Sequence, residues 1–250
     1  MCKFATSIEV ANFIMEKSSW LLLGLAVLPV VILGLYVYVK DRFNREPWWM
    51  LALAFAFGAL SAFPAISLET RIETMNPYPE ESFASAWYVA FAVAAFSEEL
   101  CKFFFLYVLV WRSKYFDEYF DGIVYATFVA LGFACFENIL YVFKAGEVYE
   151  AGVATGVGRA IFAVPGHFLD GVMMGYFFAL AKFSRKWYKR WWSALMMLVV
   201  PMLLHGFYDA ILLTLNVSGG TSVVLLAFFI WFDVKLWKMG VKRIRNLEYR

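Results

Sequence analysis

Runs of about 20 apolar residues recur along this chain, and they restrict its fold more than any other feature. The 250 residues are 63% hydrophobic and 17% charged, with a mean hydropathy of +0.67. A soluble domain of this length could not bury so much apolar surface. Alternating barrel strands are absent, and otherwise only helices satisfy the backbone inside hydrocarbon. We therefore expect an all-α, polytopic bundle of transmembrane helices embedded in the lipid bilayer.

The apolar runs predict about seven spans. Their approximate bounds are 20–39, 48–68, 85–111, 122–143, 159–181, 193–215 and 221–237. Residues 1–19 form an N-terminal extension, for which both a helix lying on the membrane surface and a disordered tail remain open. Residues 20–250 are predicted to form a single integral-membrane domain, because no repeat or composition shift divides them.

The basic residues are distributed unevenly between the two sides of the predicted bundle. One set of connections, together with the C-terminal tail, carries 16 Lys and Arg residues, whereas the opposite set carries five. Short cytoplasmic loops are enriched in Lys and Arg. This bias predicts a cytoplasmic C-terminus and an N-terminus outside the membrane.

Ionisable residues lie inside several of these apolar runs, and the only two histidines of the chain are among them. A charge at this depth costs several kcal/mol unless it has a partner, so such residues are candidates for a functional site. Counted inward at about 1.5 Å per residue, they lie roughly 10–18 Å below the outer surface. We expect one shared pocket that opens outward, built from Glu98, Glu99, Lys102, Glu137, His167, His205 and Asp209.

The spacing of these residues predicts which of them are neighbours. His205 and Asp209 are four residues apart and share a helix face, so they can bind one metal ion, or the carboxylate can orient the imidazole. Glu98 and Glu99 lie four and three residues before Lys102. Lys102 can therefore compensate one carboxylate and leave the other free to act.

Two prolines accompany the histidines. Pro165 directly precedes Gly166 and His167, and Pro201 lies four residues before His205. Proline removes a backbone hydrogen bond inside a helix, and in a membrane the freed groups need protein or a water-filled cavity. The pattern favours a cavity, although transmembrane helices contain proline often.

Other buried polar residues have more than one interpretation. Asn138 is typical of an interhelical hydrogen bond, and Glu137 either makes such a bond or supports a histidine. Asp170 could orient His167 or cap a neighbouring helix. Asp121 is expected to be the N-cap of the fourth span.

Two imidazoles with carboxylates are the ligand types of a hydrolytic zinc site. His167, His205 and Asp209 are the candidate metal ligands, and Glu98 or Glu99 could take the proton of an activated water. The patterns His-Glu-x-x-His and Gly-x-Ser-x-Gly are absent. A pair of catalytic aspartates would leave both histidines unexplained.

Several motifs together resemble those of a known family. They are FDEYFDGIVY at 116–125, LGFA at 131–134, ENILY at 137–141, EELCK at 98–102, PGH at 165–167 and LHGFYD at 204–209. Over most of the chain from Lys40 onward, the sequence is similar to the PrsW family of intramembrane metalloproteases, within the CAAX-protease and bacteriocin-immunity superfamily.

The resemblance implies a protease of the bacterial plasma membrane that makes the first cut in a single-pass anti-sigma factor during envelope stress. It implies a membrane-protein substrate. The residue types of the site predict zinc as cofactor, and we expect no nucleic-acid partner. The family's presumed catalytic positions correspond to Glu98, Glu99, His167 and His205. The wider superfamily often has Asn where Asp209 stands here, which leaves open whether this residue binds metal or orients His205.

Two other functions fit part of the pattern. Intramembrane carboxylates and histidines also form proton relays, so a proton- or cation-coupled transporter is an alternative. Transporters usually contain inverted repeats, and this chain shows none. A non-catalytic immunity or scaffold protein of the same fold would not need the histidines.

Overall fold

The computed structural model describes residues 2–41, 44–146 and 148–217, and separate positions between 224 and 242. Over these residues the chain is helical and contains no strand, which confirms the expected all-α fold. The helices are α1 Cys2–Lys40, α2 Trp48–Glu73, α3 Phe83–Tyr88, α4 Phe96–Val110, α5 Tyr119–Ala145, α6 Tyr149–Gly158, α7 Val164–Phe183 and α8 Trp187–Val217.

Two short π-helical segments interrupt this series. Val89–Ala95 joins α3 to α4, and Arg159–Ala163 joins α6 to α7. A π-turn holds more residues than an α-turn, so it shifts the register of everything that follows. Each segment ends three or four residues before a candidate catalytic residue, namely Glu98 and His167.

Five helical stretches of the described chain are long and apolar enough to cross a membrane, and they form a multi-pass arrangement. They are Ser19–Lys40, Trp48–Glu73, Tyr119–Ala145, Tyr149–Phe183 and Trp187–Leu215. The span predicted at 85–111 is helical but contains a π-segment and three charged residues. The span predicted at 221–237 lies mostly outside the described residues. These helices therefore do not establish the predicted number of seven.

The first helix is longer than a single span. Its backbone is helical from Cys2 to Lys40 without a break, so the extension predicted at 1–19 continues directly into the first apolar run. At about 1.5 Å per residue, such a helix exceeds the thickness of the hydrocarbon layer. The placement of the extension on the membrane surface stays a prediction.

Helix α5 occupies the middle of the bundle and packs against α1, α2, α4, α6 and α7. Most of its residues from Phe120 to Cys135 are buried, which explains why the sequence of this helix is apolar on all sides. Because α5 touches five neighbours, α4 and α7 among them, it connects helices that carry parts of the candidate site.

Two glycines allow these helices to approach closely. A Cβ atom on Gly132 of α5 would overlap the carbonyl oxygen of Phe55 in α2. A Cβ atom on Gly175 of α7 would overlap the carbonyl oxygen of Gly122 in α5. Small residues at such crossings bring membrane helices into backbone contact. The close crossings fix the relative positions of α2, α5 and α7.

The start of α5 differs from the prediction. Glu118 is the N-cap, and Asp121 is the third helical residue of a reciprocal capping box, so its prediction as N-cap is wrong. The Asp121 carboxylate accepts hydrogen bonds from the amides of Asp117 and Glu118 at 2.9 and 2.8 Å. The helix therefore begins one turn earlier than the aspartate alone suggested.

The loop between α1 and α2 is attached to α5 by buried polar groups. The amide of Glu46 donates to the Asp41 carboxylate at 3.0 Å, and the Tyr125 hydroxyl donates to Glu46. Burial raises the pKa of Asp41 above its ordinary value and the pKa of Glu46 to about 7. The loop is thus held by a carboxyl group that titrates near neutral pH.

Candidate active site

Four helices contribute side chains to one buried polar cluster. Helix α4 supplies Glu98, Glu99 and Lys102, and α5, α7 and α8 supply the other members. The remaining residues are Glu137, His167, Asp170, His205 and Asp209. Charged groups at this position need partners because little water screens them.

Lys102 lies at the centre of the cluster. Its Nζ atom donates to Glu99 Oε1 at 2.7 Å and to Glu98 Oε2 at 3.1 Å. The same Nζ lies 3.0 Å from Nδ1 of His167 and 4.1 Å from the ring centroid of Phe133. The ammonium group therefore compensates both carboxylates, whereas the spacing predicted compensation of one.

Glu137 holds His167 on the side of the imidazole ring that faces away from Lys102. Nε2 of the imidazole lies 2.8 Å from Glu137 Oε2, and the same oxygen accepts a hydrogen bond from Arg159 Nη2 at 2.6 Å. A carboxylate paired with arginine acts as an acceptor, so Nε2 of His167 is the donor. The lone pair of Nδ1 then points toward Lys102.

His205 lies between two carboxylates. Its Nδ1 is 2.9 Å from Glu99 Oε1, and its Nε2 is 3.3 Å from Asp209 Oδ2. Asp170 Oδ2 lies 3.9 Å from Nδ1 of His205, so the structure places this aspartate beside His205.

The two imidazoles are arranged alike. Their ring centroids are 5.3 Å apart, and the rings meet edge to face. In each ring Nδ1 faces the Lys102–Glu99 ion pair and Nε2 faces an acid outside that pair, Glu137 or Asp209. Carboxylates that hold the far nitrogen of a histidine orient the ring and increase the basicity of the near nitrogen.

The donor atoms suit a metal ion. One nitrogen or oxygen from each of Glu98, Glu99, His167 and His205 lies within 4.8 Å of the others, and all four residues are buried. Oε2 of Glu99 is buried and has no hydrogen-bond partner among the described residues. Imidazole and carboxylate are ligands that zinc accepts. An ion bound there would compete with the ammonium of Lys102 for the same atoms.

Asp209, predicted as a metal ligand, lies beside this donor group and contacts His205. The geometry favours its other predicted role, orientation of the imidazole.

Sequence reasoning missed Arg159. The sequence predicts this residue at the outer end of the span 159–181, whereas the apolar helical stretch begins earlier, at Tyr149. Arg159 therefore lies within the helical stretch and reaches Glu137 and Asn138. An arginine inside an apolar run of 35 residues was the signal that could have revealed it.

The residues of this cluster lie in a region that this chain shares with known proteins. The family model described as PrsW family intramembrane metalloprotease matches residues 46–234, which include every member of the cluster. The chain belongs to the PrsW family.

Curated members of the PrsW family resemble this chain over nearly their whole length. The protein named Protease PrsW of Geobacillus kaustophilus is 38% identical over 227 residues, which cover 91% of this chain and 92% of that protein. Those of Bacillus subtilis and Clostridioides difficile are 35% and 33% identical, and cover 86% and 89% of this chain and 93% and 89% of their own. No solved structure matches this chain.

Membership in the PrsW family makes this chain a membrane-embedded protease. The described helices agree, because several are long and apolar enough to cross a bilayer.

Proposed function

We propose that this PrsW-family protein hydrolyses a peptide bond in a single-pass membrane protein of the anti-sigma-factor type, in the bacterial plasma membrane. The observation that carries the proposal is the convergence of Glu98, Glu99, His167 and His205 donor atoms within 4.8 Å in a buried cluster. A predicted outward-facing site and a cytoplasmic C-terminus agree with a first cut on the outer side.

Glu98 is the general base in this proposal. Glu99 is fixed between Lys102 and His205 at 2.7 and 2.9 Å, whereas Glu98 is 3.1 Å from Lys102 and about 4 Å from both imidazoles. Glu98 is thus the less constrained carboxylate and can reach a water molecule.

The reaction follows from these positions. Glu98 removes a proton from water as the water oxygen bonds to the peptide carbonyl carbon, and the protonated Glu98 then gives that proton to the leaving nitrogen as the C–N bond breaks. Lys102 keeps the charge of Glu99 compensated throughout. His167, His205 and Glu99 would hold zinc, which would polarise the carbonyl and acidify the water.

Cleavage of a doubly tagged single-pass anti-sigma factor, co-reconstituted in liposomes, tests the proposal. Glu98→Gln should lower the rate by about 10²–10⁴-fold, as expected for loss of a general base. His205→Ala and the double change of Glu98 and Glu99 to Gln should abolish cleavage without preventing insertion. The exposed Glu150→Gln is the matched control.

Retained cleavage in His205→Ala or in the double variant would refute the proposed site. Ion flux through the same liposomes without any proteolysis would instead favour the transporter alternative.

A further inference from the structure

Arg159 is linked to the site through Glu137. Its Nη2 donates to Glu137 Oε2 at 2.6 Å, and that oxygen lies 2.8 Å from Nε2 of His167. The side chains of Arg159 and Glu137 are only 16% and 17% exposed, so the ion pair is mostly shielded from water. Arg159, Glu137 and His167 are thus connected by consecutive hydrogen bonds that share one carboxylate oxygen.

The guanidinium group is fixed on its other edge. Arg159 Nε donates to Asn138 Oδ1 at 2.6 Å, and Asn138 Nδ2 donates to the carbonyl oxygen of Ala26 in α1 at 3.1 Å. The guanidinium also lies 4.4 Å from the ring centroid of Tyr141. A planar group held at several points has one orientation, and lysine could not reproduce it.

The consequence for His167 concerns its tautomer. Glu137 shares one oxygen between Arg159 and His167, so its carboxylate stays an acceptor and its rotamer is fixed. Nε2 of His167 then carries the hydrogen, and the lone pair of Nδ1 faces Lys102 and Glu98. The opposite tautomer would turn a hydrogen toward an ammonium group.

We propose that Arg159 is a positioning residue that, through Glu137, holds His167 in the Nε2–H tautomer with Nδ1 facing the reaction site. This role rests on the proposed function of His167. It differs from simple bracing of the helices, because bracing would not select a tautomer.

Nitrogen NMR measures this directly. The chain contains only two histidines, so protein grown with ¹⁵N-histidine and purified by a tag without histidine gives four imidazole signals, assigned with His205→Gln. Wild-type His167 should show a protonated Nε2 and an unprotonated Nδ1. In Arg159→Gln the His167 signals should move toward a mixture of tautomers, and the His205 signals should stay.

Kinetics on the same tagged anti-sigma factor provide the second test. Arg159→Gln should lower kcat by about 10–100-fold, as is typical when the partner of an active-site histidine is lost, with KM changed by less than about twofold. Arg159→Lys keeps the positive charge but not the planar guanidinium group. Its kcat should lie between the kcat of wild type and that of Arg159→Gln. Arg71→Gln, at the exposed C-terminal end of α2, should match wild type.

A double variant shows whether Arg159 acts through Glu137. If it does, adding Arg159→Gln to Glu137→Gln should cause little further loss of kcat, whereas independent roles would give additive losses. Should Arg159→Gln fail to fold, Arg159→Lys carries both the NMR and the kinetic tests.

Wild-type kcat in Arg159→Gln overturns the proposal, as does a reduced kcat with the His167 tautomer unchanged. The NMR result needs no substrate, so it stands apart from the proposed function. If wild type cleaved nothing while the tautomer still depended on Arg159, the proposed function alone would fail.

Discussion

The Nζ atom of Lys102 lies 3.0 Å from Nδ1 of His167, among donor atoms that could also hold a metal ion. Two carboxylates and one imidazole therefore already have a cationic partner supplied by the chain. Any metal ion must either displace this ammonium group or share its ligands.

Lys102→Met should make the protein less stable and more responsive to zinc. Loss of one partner leaves buried carboxylates uncompensated, which costs on the order of 3 kcal/mol. Zinc should then raise the Tm of the variant more than the Tm of wild type, in thermal unfolding followed in detergent. The same substitution at the exposed Lys144 is the control. An equal rise in the Tm of wild type and of Lys102→Met on adding zinc would contradict competition between Lys102 and the metal ion.

Asp209→Ala should reduce the cleavage rate by about 10–100-fold, because His205 loses the acceptor 3.3 Å from its Nε2. Asp209→Asn should recover part of the rate, since the amide oxygen still accepts a hydrogen bond. Initial rates and zinc content measured on the same samples distinguish a residue that orients His205 from a residue that binds zinc. A loss of zinc as complete as in His205→Ala would indicate a direct ligand instead.

Gly132→Ala should destabilise the bundle by about 1–3 kcal/mol, because its Cβ would overlap the backbone of Phe55 where α2 crosses α5. Activity should fall too, since α5 carries Glu137. Gly24→Ala in α1 is the matched control, because its Cβ would meet nothing within 4 Å. The prediction fails if both variants have the same Tm.

Glu46 should make stability depend on pH. Burial raises its pKa to about 7 in the folded protein from an ordinary 4.5, so the folded state keeps a proton that the unfolded state has lost between these values. Stability from this group is complete below about pH 4.5 and decreases as the pH rises toward 7. Glu46→Gln cannot ionise, and its amide oxygen can still accept from Tyr125.

Thermal unfolding of wild type and Glu46→Gln across this pH range measures the effect. The fall in Tm with rising pH should be smaller in the variant. Parallel curves for the two proteins would show that Glu46 does not contribute.

The sequence predicted the helical class and the convergence of its charged residues because both follow from one physical cost. An apolar run must become a helix in a membrane, and charged groups inside such runs must find one another. The sequence alone therefore predicted the site residues Glu98, Glu99, His167 and His205. It predicted contacts within one helix but not contacts between helices, such as the contact of Lys102 with His167.

Three features of the structure were not predicted from the sequence: the π-segments, the position of Arg159 and the start of α5. A π-segment changes the register by one residue without changing composition, so Val89–Ala95 and Arg159–Ala163 were indistinguishable from ordinary helix. Arginines commonly lie at the boundary of a span, so the sequence predicts Arg159 at such a boundary and not inside a helix. The capping box at Glu118 was missed because Asp121 alone also satisfies the rule for an N-cap.

The two π-segments also determine how this protein can tolerate change in length. Removing one residue from Val89–Ala95 would restore the α-helical repeat and leave the apolar composition almost unaltered. The side chains downstream in α4 would keep their directions, because the π-turn holds the one extra residue. Glu98 and Glu99 would therefore keep their neighbours. Removing Leu100 from the α-helical turn that follows would instead turn Lys102 by about 100° away from both glutamates, so the position of a one-residue deletion decides whether the ion pairs of the site survive.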